Sequence, residues 1–155
     1  APDCSGVRAE AVDGAEGLYE VRISFRTPEQ GEEWYKIFVQ DPLSGSRRYY
    51  PSFMGTFSSS GLPREAEASA LRGSYALAGA EDDEAGMYFS GGTYARVKFA
   101  CIGRVEYEFW KRYETAVGSN SNVFLSTQQN LPGNVAGGKG CWYGMNGREW
   151  VVWFP

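Results

Sequence analysis

Residues 18–27 read Leu18-Tyr19-Glu20-Val21-Arg22-Ile23-Ser24-Phe25-Arg26-Thr27. Tyr19, Val21, Ile23 and Phe25 fall on one phase, and Glu20, Arg22, Ser24 and Arg26 on the other. A strict period of two places those sets on opposite faces of an extended chain, so the stretch reads as a strand with one buried and one wet face. Pro28-Glu29-Gln30-Gly31 makes the following turn. Trp34 to Gln40 repeats the alternation, with Tyr35, Ile37 and Val39 opposite Lys36 and Phe38. Asp41-Pro42-Leu43-Ser44-Gly45 is a second turn. Strands through Arg48-Tyr49-Tyr50 and from Phe53 to Phe57 come next.

Residues 62–73 carry helix punctuation: Pro63 at a first helical position, Glu65 and Glu67 early, Arg72 late and Gly73 as a stop. A short helix near residues 63–72 is the expectation, with a strand as the rival because Ala66, Ala68 and Ala70 alternate. Gly73 to Ala78 resumes as strand, Glu81-Asp82-Asp83-Glu84 is an acidic turn, and Met87-Tyr88-Phe89 with Gly91-Gly92 opens a hairpin into Tyr94. From Ala95 to Phe109 the odd positions are mostly apolar and the even ones mostly charged. This predicts one long strand bent at Gly103. Residues 118–140 are rich in Gly, Asn and Ser and read as a loop. Asn146-Gly147 is a favoured two-residue hairpin turn. It would pair Tyr143 with Trp150 on one face and set Trp142 and Trp153 on the other. About ten short strands predict an all-β fold, an antiparallel β-barrel or β-sandwich, in a single domain over residues 1–155.

Composition agrees. Aromatics make up 15% of the 155 residues and glycine accounts for 20 of them, a bias towards strands and turns. The absence of His excludes Ser-His-Asp and Cys-His catalysis and His-ligated metals. A net charge of −4, from 15 basic and 19 acidic residues, disfavours nucleic acid as a partner. No apolar run is long enough for a membrane-spanning helix.

The chain begins Ala1-Pro2-Asp3-Cys4, which has the look of a mature chain after removal of a signal peptide, so secretion is expected. Of the three cysteines, Cys4 is expected to be bridged, to Cys101 or alternatively to Cys141. The third would remain a thiol.

Four constellations bear on function. Glu106 and Glu108 would share the polar face of a strand, a possible carboxylate pair for a polysaccharide hydrolase, although Lys98 and Arg104 in the same phase favour an ordinary solvated face. Glu81 to Glu84 are contiguous, not at the alternating spacing of a calcium loop. Trp142, Trp153, Tyr49 and Tyr50 are candidate binding residues, because flat rings on a rigid sheet suit sugar rings or an apolar protein contact. Gly31-Glu32-Glu33-Trp34-Tyr35-Lys36-Ile37 resembles the start of a lipocalin strand, with two residues where lipocalins have one between Gly and Trp. This resemblance implies a small-ligand carrier as an alternative.

The processed-looking start, few cysteines, one β-domain and no catalytic set together resemble small secreted fungal effector or elicitor proteins. That resemblance implies an extracellular, non-enzymatic protein without cofactor or metal. It would recognise a glycan, a cell-wall component or a cell-surface protein, in the setting of host plant responses.

Overall fold

The computed structural model describes residues 1–40, 49–72, 87–119 and 146–155. In chain order these form β1 (Asp3–Ala11), β2 (Leu18–Arg26), β3 (Trp34–Gln40), β4 (Tyr50–Ser58), β5 (Glu65–Ala70), β6 (Phe89–Ser90), β7 (Tyr94–Ile102), α1 (Arg104–Ser119) and β8 (Asn146–Trp153). Sheet A runs β1-β2-β5, with β6 pairing the other end of β2. Sheet B runs β4-β3-β7-β8. All pairings are antiparallel. Neither sheet closes into a barrel, and the described strands number eight, not ten.

The inward phases meet as expected. Val21, Ile23 and Phe25 of β2 face Tyr35, Ile37 and Val39 of β3 and Val97 and Phe99 of β7, and each is at most 1% exposed. At the centre the Phe25 ring packs edge-on to Tyr35 and Phe99, with centroids 5.3 and 5.2 Å apart. Burying such side chains contributes about 1.5–3 kcal/mol each. The sheets are also tied at a margin, where the Leu71 backbone N–H donates to Ser52 Oγ at 2.8 Å.

Three expectations are corrected. The helix expected near residues 63–72 is instead β5. Ala66, Ala68 and Ala70 pair with Phe25, Ile23 and Val21. The small alanines fit beside large β2 side chains, while Glu65 and Glu67 face water. Strand pairing along β2 outweighs the helix punctuation.

The long strand ends at Ile102, and residues 104–119 are helix. The Tyr107 N–H donates to the Gly103 carbonyl at 3.0 Å, opening the first turn. The Glu106 carboxylate folds back against Gly103 so closely that a side chain there would collide with it. Arg104 and Glu108 pair one turn apart at 3.4 Å. Phe109 with Tyr113, and Trp110 with Glu114, recur at the helical spacing of four.

Asn146 and Gly147 do not turn. They lie inside β8, opposite Cys101 and Ala100. A Cβ on Gly147 would stand 2.9 Å from the Ala100 Cβ, so glycine here serves close strand approach. The expected partners Cys141 to Met145 lie outside the described residues, as do the turn at 41–45, the acidic run 81–84 and the loop 120–140.

Candidate functional site

Pairing of β7 with β8 lays four residue pairs along the outward face of sheet B: Tyr94 opposite Trp153, Arg96 opposite Val151, Lys98 opposite Glu149, and Ala100 opposite Gly147. Successive pairs lie two residues apart, about 7 Å along the strands. The row changes character from one end to the other.

At the Ala100 end the sheet is covered, and α1 packs over the neighbouring strands β3 and β4. Ala100 is fully buried, and Ile102 and Phe38 are nearly so. Phe38 meets Trp110 of the helix edge-on at 6.0 Å. Beneath them lies Lys36, also fully buried. Its Nζ donates to Thr56 Oγ1 at 2.8 Å and to Glu114 Oε1 at 3.4 Å, and sits 4.3 Å from the Trp110 ring centre. Burial lowers its pKa to about 8, against the opposing pull of the Glu114 carboxylate and with a small push from Lys111. The arrangement satisfies the ammonium and encloses it, which makes it a pin between helix and sheet.

At the Tyr94 end no helix intervenes among the described residues. Trp153 and Val151 are each 62% exposed and Tyr94 is 38% exposed. The Tyr94 and Trp153 rings lie nearly parallel, 13° apart with centroids at 6.5 Å. Arg96 is exposed beside them. Lys98 bridges to Glu149 at 3.7 Å and stands 6.0 Å from the Tyr49 ring. Burial raises the Tyr49 pKa, Glu149 adds to the rise, and Arg96 opposes it. Tyr49 thus belongs to the border of this surface. The result is a flat aromatic and apolar strip flanked by two cations and one carboxylate.

The candidate residues fare unequally. Trp153 is on the strip and Tyr49 on its border. Tyr50 pairs with Val39 and packs against the core cluster, so it faces the interior. Trp142 lies outside the described residues. Tyr94, Val151 and Arg96 were missed, because their neighbourhood depends on the β7–β8 register and the Asn146-Gly147 pattern pointed to a different pairing. Glu106 and Glu108 do not share a face: two positions apart on a helix, they point about 160° apart. The Cys4–Cys101 bridge is not formed, and both residues are half-buried free thiols, set on different sheets.

A shallow, open hollow of about 410 Å³ lies on sheet A, lined by Ser5, Ser24, Arg26, Glu65 and Glu67 among others. Its charges are largely spent on each other, as in the Arg26–Glu65 pair at 3.8 Å. The aromatic strip is the better candidate. No protein-family model, curated protein or solved structure matches the chain.

Proposed function

We propose that this protein is a secreted, non-enzymatic recognition protein that binds a glycan, in the manner of an effector or elicitor acting at a host surface. The binding face is the strip formed by Trp153, Tyr94 and Val151. The observation that carries the reading is the exposure of Trp153, 62%, in a nearly parallel stack with Tyr94 on a rigid sheet. Leaving two flat rings and a valine in water is unfavourable for the free protein, and an apolar sugar face would relieve it. Arg96 and Lys98 at the border favour a sugar bearing a carboxylate. A cell-surface protein using the same strip is the second outcome to be distinguished.

The test is a glycan array carrying neutral and uronate-containing oligosaccharides, alongside a pull-down from host membranes treated or not treated with glycosidases. Trp153→Ala is expected to weaken glycan binding about thirtyfold, the loss of roughly 2 kcal/mol common for a central aromatic anchor. Binding that survives glycosidase treatment would favour the protein partner. Undiminished binding by a folded Trp153→Ala, Tyr94→Ala double variant would place the site elsewhere.

A further inference from the structure

Inward residues of β1 recur at odd positions, with Val7 opposite Ile23 and Ala9 opposite Val21. On that phase Cys4 would face water. The register shifts between Cys4 and Gly6, leaving Ser5 as an extra residue, and Cys4 is thereby turned inward beside Phe25. Cys101 ends the inward phase of β7 opposite Tyr35. The Phe25 and Tyr35 rings touch across the two sheets at 5.3 Å, so the bulge brings a thiol from sheet A to the corner where sheet B also presents one.

We propose that Cys4 and Cys101 are an oxidisable pair, and that a disulfide between them locks β1 of sheet A to β7 of sheet B.

Both thiols pack against the same core cluster, Cys4 beside Phe25 and Cys101 opposite Tyr35. Burial pushes the Cys4 thiol up to about 11, with Asp3 and Cys101 adding to the rise and Arg148 opposing it. Tyr35, held protonated by burial and by its 2.7 Å hydrogen bond to Glu33, also feels both thiols. Raised thiol pKa values leave little thiolate at neutral pH, so exchange with a disulfide reagent is slow there and speeds up as pH rises. With glutathione disulfide, one thiolate attacks a glutathione sulfur and releases one glutathione thiolate. The second cysteine loses its proton to solvent, attacks the mixed disulfide and expels the other. The protein pair gives up two electrons and two protons, and one glutathione disulfide becomes two glutathione thiols.

The experiment is to incubate the reduced, folded chain with glutathione disulfide at pH 8.5. Thiols are then counted after denaturation, and the unreduced protein is mapped by peptide mass spectrometry. The expected result is a fall from three thiols to one, a crosslinked pair of peptides holding Cys4 and Cys101, and a higher thermal midpoint from closure of a long loop. A bridge to Cys141, glutathione adducts alone, or three persisting thiols would overturn the pair. A Cys4–Cys101 bridge with an unchanged midpoint would overturn the lock.

Discussion

The outward faces of the two sheets are built from the same alternation and finished in opposite ways. On sheet A the outward residues are mostly charged and answer each other along and across strands. Arg8 bonds Glu10 at 3.0 Å and Glu67 at 3.1 Å, and Arg22 bonds Glu20 at 2.6 Å. That face is complete in water. On sheet B the outward residues Phe38, Ala100 and Ile102 are apolar and buried, Phe38 against Trp110 of α1, while Tyr94, Val151 and Trp153 are apolar and stay in water. A charged face needs no cover. An apolar face demands one, and among the described residues the cover on sheet B stops short of Tyr94 and Trp153. The uncovered half is where a partner has something to gain.

The sharpest way to break this comparison uses two neighbouring rings. Trp153 faces out, while Phe154 is fully buried and stacks on Phe89 with centroids 4.7 Å apart. Phe154→Ala is expected to lose about 3–5 kcal/mol of stability. Trp153→Ala is expected to lose less than about 1 kcal/mol and to remain folded while losing binding. Urea denaturation of both variants decides. Equal losses would mean that Trp153 is structural and that the uncovered half of sheet B is not a binding face.

The covered half has its own test. Glu114→Ala leaves the buried ammonium of Lys36 without its carboxylate and is expected to destabilise the fold by about 3 kcal/mol. Lys36→Met removes the charge and is expected to be neutral or stabilising. The pH dependence has a definite sign. The folded pKa of Lys36, about 8, lies below its ordinary value of 10.5. Between those limits the unfolded chain holds more protons, so the Lys36 contribution makes stability rise with pH, and it is flat below about pH 7. The thiol of Cys4 and the phenol of Tyr35, both raised, act in the opposite direction as pH rises. The measurement is therefore the difference between wild type and Lys36→Met across pH 7–11. An identical slope in the two proteins would show that Lys36 does not titrate in this range.

The same contrast separates what was legible in the chain from what was not. The inward phases of β2, β3 and β7 were readable because each carries an unbroken run of apolar residues at period two. Lys36 was readable only as lying, with Phe38, opposite the apolar set of its strand, since that strand does not reveal that a helix lies over it. Phe38, outward beside it, was the available hint. The helix itself was hidden because Val105, Tyr107 and Phe109 continue the alternation of β7 past Gly103. The competing period, Phe109 with Tyr113 and Trp110 with Glu114, begins only where that alternation ends. Trp153 could be flagged from sequence. Its stacking partner, Tyr94, could not, because the pairing of β7 with β8 joins segments far apart in the chain.

The smallest effect is expected on sheet A, and its smallness is what completes the comparison. Arg22 lies between Glu20 at 2.6 Å and the more distant Glu10 and Glu67, both at 3.8 Å, and its guanidinium pKa is raised chiefly by the Glu20 hydrogen bond. These groups are partly open to water, where such pairs contribute about 0–1 kcal/mol and weaken as salt screens them. Arg22→Ala is therefore expected to lower stability by about 0.5 kcal/mol at low salt. The difference from wild type should shrink further in 1 M NaCl, with glycan binding unchanged. A loss above about 2 kcal/mol, insensitive to salt, would mean that the charged ladder carries the sheet in the way that α1 carries the covered half of sheet B, and the two outer faces would no longer be opposites.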